Sequence, residues 1–177
     1  MRLPSNIEKI ELLHPAIRQE VWDAIEYLER SIIPEEVAFH VDSTLRTFIE
    51  QDALYAKGRT IINPDGASPV KPMGNIVTRA KGGESFHNYG LALDFNWYWK
   101  KNGVYIYDEN RSWSIGPVHR KVVTYFKSLS YIWGGDWESI KDFPHLEKTF
   151  QYTLSQLQQK YHAGDFITGT QYINLNL

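Results

Sequence analysis

A histidine and an aspartate stand seven residues apart in the segment SFHNYGLALDF, residues 85–95. If the chain turns at Gly90 and LALDF forms a strand, Ala92 and Asp94 share one face of that strand, and the turn can bring His87 over the same face. Ala92 leaves space beside the carboxylate. One imidazole and one carboxylate on a shared face suit a hard or borderline metal ion. The alternative interpretation is a buried Asp94 that is hydrogen-bonded to His87 for structural reasons.

A third ligand is needed for catalytic zinc, which usually has three protein ligands and an open position for water. The best candidate is His145 in the segment KDFPHLE, beside two acids, Asp142 and Glu147. Because Pro144 disfavours a continuous helix there, Asp142 and His145 must converge through a bend. An acid that lies near the metal without ligating it is what hydrolysis requires, since it can take the proton of the activated water and pass it to the leaving amine.

The other histidines have sequence contexts that favour structural or solvated positions. His14 stands at the start of a helical pattern, where its side chain can cap the helix. His40 alternates with the apolar face of a strand. His119 and His162 lie in helical patterns, and we expect both to be solvated. None of these four is predicted to bind the metal.

The first half of the chain predicts the elements around Arg46. Pro15 opens an amphipathic helix through HPAIRQEVWDAIEYLERS. VAFHV at 37–41 is rich in β-branched and aromatic residues, and it predicts a short strand that ends shortly before Arg46. FIEQDALYAKG predicts a helix that stops at Gly58. The turn-rich segment 63–74 predicts a loop that forms a lid or rim.

The second half predicts further strands and two helices. Strand candidates are IVTRA, LALDFNWYW and VYIY, the last two joined as a hairpin through KKNG. VHRKVVTYFKSLS predicts a helix, WESIKDFPHLEK an irregular segment, and a last helix runs from about Thr153 to His162. Helices around short strands with hairpin connections, and with no alternation of strand and helix, indicate an α+β domain with a small antiparallel β-sheet flanked by helices.

Composition limits the classes of partner and cofactor. The 177 residues are 42% hydrophobic, enough for one compact domain over residues 1–177. There is no cysteine, so disulfides and thiolate zinc sites are excluded. The formal net charge is −2 with no long basic run, which argues against nucleic acid. No segment has the ~18 consecutive apolar residues of a membrane span. We expect a monomer.

A resemblance to a known family joins these segments. SFHNYGLALD fits the SxHxxGxAxD signature of the M15 zinc peptidases, which include D-Ala-D-Ala carboxypeptidases and dipeptidases and the L-alanyl-D-glutamate endopeptidases of bacteria and phage endolysins. LRTFIEQDALYAKGRT resembles the arginine-bearing segment of that family, and WGGDWESIKDFPHLE resembles its closing block. The similarity covers about residues 12–162 and leaves a tail at 163–177. It implies the hedgehog-like and DD-peptidase-like zinc-peptidase fold.

The resemblance also implies a role for each matched position. It implies one zinc ion per chain with three protein ligands, His87, Asp94 and His145. Asp142 would be the catalytic base. Arg46 would bind substrate or stabilise the oxyanion, because a fixed guanidinium can oppose the charge that grows on the attacked carbonyl. Ser85 would support the substrate site.

The implied substrate is the stem peptide of peptidoglycan. WGGDW with DFPH is most similar to the L-alanyl-D-glutamate endopeptidase branch, which cuts between the first two residues of that peptide. A D-Ala-D-Ala carboxypeptidase or dipeptidase with the same metal core stays open as an alternative, and so does a non-catalytic domain that binds peptidoglycan or zinc. No export signal is visible, so we expect action either in the periplasm or cell wall or on recycled wall fragments.

Overall fold

The structure is a computed structural model that describes residues 1–108, 116–138 and 140–177. Backbone contacts divide the chain into two compact units. The first unit combines Met1–Leu45 with Gly90–Gln151, and the second combines Arg46–Tyr89 with Tyr152–Leu177. One domain over residues 1–177, with a core at 12–162, stays a prediction.

The described residues form five α-helices and five β-strands. The helices are α1 Ser5–Glu11, α2 Pro15–Ser31, α3 Phe48–Ala56, α4 Pro117–Ser128 and α5 Leu154–His162. The strands are β1 Val37–Ser43, β2 Ala92–Lys101, β3 Val104–Tyr107, β4 Ile132–Trp133 and β5 His145–Glu147. Short 3-10 turns occur at Pro64–Gly66, Phe86–Tyr89 and Gly134–Asp136. Within these described ranges, no helix has both the length and the apolar character needed to span a membrane.

The first unit contains one antiparallel sheet built around β2. Strand β1 pairs along one edge of β2, while β3 and β5 share the other edge, and β4 pairs with β5. All four pairings are antiparallel. The predicted α+β class with a small antiparallel sheet is therefore confirmed.

The hairpin between β2 and β3 follows from its two turn residues. Asn102 and Gly103 connect the strands with φ of 51° and 82°. Two consecutive positive φ angles are what a tight two-residue hairpin turn needs, and Asn-Gly is a favoured pair for it. The predicted hairpin is confirmed.

The core of the first unit lies against one face of β2. Leu93, Phe95 and Trp97 are buried in it. Phe95 stacks on Phe39 of β1 with ring centroids 4.7 Å apart, and Phe126 of α4 completes the aromatic cluster. Helix α2 contributes an apolar stripe at three- and four-residue spacing: Ile17, Val21, Ile25 and Leu28. A fully buried phenylalanine stabilises the fold by ~2 to 3 kcal/mol through removal of its surface from water.

The second unit contains two helices that the sequence predicted. Helix α3 starts with a capping box in which Thr47 and Glu50 satisfy each other's backbone N–H groups. It ends shortly before Gly58, whose φ is +76°. Phe48 stacks on Tyr161 of α5 at 4.4 Å between ring centroids. Both predicted helices are confirmed.

The strand prediction for IVTRA is wrong. Residues 76–80 adopt no strand, and Ile76 and Val77 are 54% and 47% exposed. Two carbonyls of this segment accept side-chain hydrogen bonds, from Arg59 to Thr78 at 3.0 Å and from Gln51 to Ala80 at 2.8 Å. The high β-propensity of Ile76 and Val77 does not produce a strand, because no neighbouring strand pairs with this segment in the described residues. The sequence also did not predict α1, β4 or β5.

Candidate metal centre

Asp94 lies on the face of β2 that is turned away from the core. Ala92, Asp94 and Asn96 alternate with Leu93 and Phe95, which are buried in the core. The side chain of Asp94 is 20% exposed. The structure therefore places this carboxylate as the alternation predicted, at a position where it can reach a ligand.

His145 faces Asp94 across the sheet. The two residues form a register pair between β5 and β2, and Nδ1 of His145 lies 3.1 Å from Oδ1 of Asp94. The backbone N–H of His145 donates to the carbonyl of Asp142 at 3.3 Å. Asp142 and His145 thus approach through a bend before β5, as expected from Pro144.

Gly134 fixes the segment that carries Asp142. The backbone N–H of Asp142 donates to the carbonyl of Gly134 at 3.1 Å. A Cβ at Gly134 would lie only 2.5 Å from the carbonyl oxygen of Asp142 and 3.1 Å from Cβ of His145. Only glycine allows this close approach. The WGGDW segment thereby determines the positions of Asp142 and His145.

His87 is buried on the 3-10 turn Phe86–Tyr89. Its backbone N–H donates to Oγ of Ser85 at 3.4 Å, so the serine caps the turn. Gly90 follows with φ of 68°, a conformation that favours glycine and redirects the chain toward β2. The sequence prediction of a turn at Gly90 is confirmed.

Arg46 is tied to the backbone of His87. The N–H of Arg46 donates to the carbonyl of His87 at 3.0 Å, and Nδ2 of Asn88 donates to the carbonyl of Arg46 at 2.9 Å. The Arg46 guanidinium donates through Nη1 to Oε1 of Gln51 at 2.9 Å. The residue predicted to bind substrate is therefore held next to the residue predicted to bind metal.

The three predicted ligands are two histidines and one aspartate, and within the first unit the structure places His145 against Asp94. Two imidazole nitrogens and one carboxylate oxygen form a donor set that zinc accepts, with a fourth position left for water. The side chains present therefore fit a catalytic zinc ion.

Glu147, the second of the two acids that the sequence analysis named beside His145, lies against that histidine. Its Oε2 lies 2.9 Å from Nε2 of His145. Burial alone lowers the pKa of His145, but hydrogen bonds to Asp94 and Glu147 outweigh it and raise that pKa to about 9. The i, i+2 spacing of His145 and Glu147 was the available signal, because in a strand these two residues share a face.

A polar cleft continues from the carboxylates along the sheet. Its volume is about 470 Å³. Its lining residues are Asp42, Asp94, Asn96, Tyr98, Tyr107, Asp142 and Pro144. Because Asp94 and Asp142 both border it, a molecule that occupies this cleft would lie beside the proposed metal ligand and the proposed base.

His119 is not solvated, so that prediction is wrong. The residue is 5% exposed, its ring lies 5.2 Å from that of Phe95, and Nε1 of Trp97 donates to its Nδ1 at 3.3 Å. Burial lowers its pKa to about 4. His119 therefore belongs to the core. His162 is exposed as predicted, and Nδ1 of His14 accepts from the N–H of Ala16 to cap α2.

Comparisons with known proteins point to one group of enzymes. A family profile described as D-alanyl-D-alanine carboxypeptidase, Peptidase_M15_4, matches residues 78–148. The peptidoglycan L-alanyl-D-glutamate endopeptidase CwlK of Bacillus subtilis (strain 168) is 41% identical over 139 residues, which cover 76% of this chain and 72% of CwlK.

Two solved structures are more distantly similar. The Serratia marcescens L-Ala D-Glu endopeptidase ChiX has 21% identity and a TM-score of 0.43, over 81% of this chain and 86% of ChiX. A mutant of the vancomycin resistance D,D-pentapeptidase VanY from the VanB-type cassette, in complex with Zn(II), has 19% identity and a TM-score of 0.49, over 86% of this chain and 79% of VanY.

Proposed function

The chain belongs to the M15 family of metallopeptidases, and from this premise we propose that it is a zinc-dependent peptidoglycan peptidase that hydrolyses the L-Ala–D-Glu bond of the stem peptide. The observation that carries this proposal is the 41% identity to CwlK, a peptidoglycan L-alanyl-D-glutamate endopeptidase, over 72% of that protein. The residue types at the predicted site also support the proposal, because they can bind zinc, move a proton and oppose negative charge on the substrate.

His87, Asp94 and His145 are the proposed ligands of one zinc ion per chain. Within the first unit, Asp94 and His145 are held as a cross-strand pair. When bound, zinc supplies Lewis-acid activation of water and lowers its pKa toward ~7. His87 and His145 are buried, which keeps competing water away from their ring nitrogens.

Asp142 is the proposed general base. It borders the cleft beside Asp94, and its backbone is fixed by Gly134 and His145. A carboxylate at this position can take a proton from the attacking water and deliver it to the leaving amine. This assigns two different tasks to two neighbouring acids: Asp94 binds the metal, and Asp142 moves the proton.

Arg46 is the proposed partner of negative charge on the substrate. Its backbone is held by His87 and Asn88, so the guanidinium starts from a fixed position. A guanidinium can stabilise the oxyanion that forms on the attacked carbonyl or bind a substrate carboxylate in a bidentate manner. Ser85 caps the turn of His87, and its contact with substrate stays a prediction.

A second candidate function is hydrolysis at the D-Ala end of the stem peptide. The family profile that matches residues 78–148 is described as D-alanyl-D-alanine carboxypeptidase, and the same metal and base would serve that reaction. Only the binding of the peptide on either side of the scissile bond separates the two activities.

A defined stem peptide decides between these functions. Purified protein is incubated with a muropeptide that carries a pentapeptide stem, and the products are identified by mass spectrometry, with and without a zinc chelator. We expect cleavage after L-Ala that the chelator abolishes and added zinc restores. Release of D-Ala with no cut after L-Ala would establish the second candidate, and zinc binding without any hydrolysis would establish a non-catalytic domain.

The base is tested by Asp142→Ala. Loss of a general base reduces the rate by ~100-fold or more, while the zinc content is expected to stay at one per chain because Asp142 is not among the three ligands. Asp136→Ala is the matched control, because Asp136 pairs with Lys127 and is not part of the cleft lining. Undiminished hydrolysis by the Asp142 variant would show that another group moves the proton.

A further inference from the structure

We propose that Glu147 is a positioning residue of the metal site, which accepts a hydrogen bond from Nε2–H of His145 and thereby presents Nδ1 of His145 to the metal. This inference rests on the proposed zinc ligands. It assigns both the nitrogen that binds the ion and the residue that orients it.

The two ring nitrogens of His145 face two different carboxylates. Nδ1 lies 3.1 Å from Oδ1 of Asp94, and Nε2 lies 2.9 Å from Oε2 of Glu147. These nitrogens point away from the ring in different directions, so only one of them can share an ion with Asp94. Since Asp94 is itself a proposed ligand, that nitrogen is Nδ1.

The position of Glu147 then decides the tautomer. A neutral imidazole carries one N–H group and one lone pair, and the hydrogen bond that one nitrogen makes determines which nitrogen keeps the proton. A carboxylate can only accept, so Glu147 holds the proton on Nε2. The lone pair on Nδ1 of His145 is left for the metal, an arrangement in which the outer carboxylate also makes the ligand more basic.

The sheet holds Glu147 in this position. It is the last residue of β5, and it pairs with Ala92 of β2 on one side and Ile132 of β4 on the other. Its side chain is 12% exposed. A carboxylate buried to this degree needs hydrogen-bond donors, and His145 supplies one.

Lys148, which follows Glu147 in the sequence, pairs with a different carboxylate, that of Glu20. Lys148 donates to both carboxylate oxygens of Glu20 at 2.6 and 2.7 Å. Glu20 and Glu147 thus form two adjacent carboxylate pairs in the first unit, one with Lys148 and one with the metal ligand His145. Glu20 therefore provides a matched control for the removal of a carboxylate beside β5.

The first experiment measures zinc affinity by chelator competition in the absence of substrate. We expect Glu147→Leu to bind zinc ~10- to 100-fold more weakly, the usual cost of losing an outer-shell partner. Glu147→Gln keeps a hydrogen-bond acceptor at the same place, and it should recover most of the affinity. Glu20→Leu should bind zinc like the wild type. Thermal melts of the metal-free proteins check that each variant folds.

The second experiment needs no variant. Nitrogen-detected NMR of the imidazole groups in the zinc-loaded wild type should show the proton of His145 on Nε2 and the metal on Nδ1. A proton on Nδ1, or wild-type zinc affinity in folded Glu147→Leu, would overturn the assignment of Glu147. Zinc affinity is independent of which bond is cut, so a wild type that binds zinc but cleaves elsewhere contradicts only the proposed specificity.

Discussion

The two faces of β2 differ in polarity and in burial. Leu93, Phe95 and Trp97 enter the core on one side, whereas Asp94 and Asn96 line a polar cleft on the other. Neighbouring residues thus belong to different environments, because side chains alternate along a strand. Stability and chemistry are separated by one position in the sequence, and substitutions along β2 should separate them in experiment.

Two histidines show the same contrast. His119 and His145 are both buried, and burial by itself would lower the pKa of each imidazole. On the core side, the aromatic surroundings of His119 leave its pKa at about 4. On the cleft side, two carboxylates outweigh burial and raise the pKa of His145 to about 9. The partners of a buried imidazole, more than its depth, decide its charge.

The largest functional effect is expected from Asp94→Ala. Removal of one of three proposed ligands should abolish stoichiometric zinc binding and reduce hydrolysis to background, because the ion would keep only two imidazoles. The metal-free variant should lose ~1 to 3 kcal/mol of the free energy of unfolding, because the buried His145 loses a hydrogen-bond partner while no cavity opens in the core. Zinc analysis, a muropeptide assay and urea unfolding measure these three quantities. Wild-type zinc content in this variant would contradict the ligand assignment.

Phe95→Ala, one residue further, should act on stability instead. Phe95 is 2% exposed and stacks on Phe39, so its truncation leaves a cavity and costs ~3 to 5 kcal/mol of the free energy of unfolding. Urea unfolding of the metal-free protein measures this loss. The fraction that stays folded should still bind one zinc per chain. A variant that is as stable as the wild type but binds no zinc would reverse the roles of the two faces.

His119 should make stability depend on pH. Its folded pKa is about 4, while the unfolded value is ~6.5. As the pH falls from ~6.5 to 4, the unfolded chain takes up a proton that the folded chain refuses, so the stability decreases by ~3 kcal/mol in total. Unfolding measured across this window should show a flatter profile for His119→Phe. The exposed His162 provides the control, His162→Gln, whose profile should match the wild type.

The sequence was sufficient where a local pattern determines the structure. The alternation in LALDFNWYW predicts which residues of β2 are buried, and Asn102–Gly103 predicts the hairpin. The choice of Asp94 and His145 followed from residue type and from the family resemblance, and the structure sets these two side chains against each other.

Features that depend on pairing across the chain were missed. Strands β4 and β5 have only two and three residues, which is too few for a periodic pattern of hydrophobic residues. They form because β5 pairs with one edge of β2 and β4 pairs with β5. The burial of His119 was missed although Val122, Val123 and Phe126 follow it at helical spacing, which places it on the buried face of α4. The role of Glu147 depends on a hydrogen bond that only the folded sheet shows.

Asn96→Ala should have the smallest effect and tests the cleft face most finely. Asn96 borders the cleft two residues beyond Asp94, but it is neither a ligand nor a core residue. Zinc content should not change, and the free energy of unfolding should stay within ~1 kcal/mol of the wild type. If substrate extends along β2, the lost amide should raise KM a few-fold, with kcat nearly unchanged, since binding is weakened equally in ground and transition states. A loss of stability as large as that of Phe95→Ala would mean that both faces of β2 support the fold, and the separation of stability from chemistry along this strand would fail.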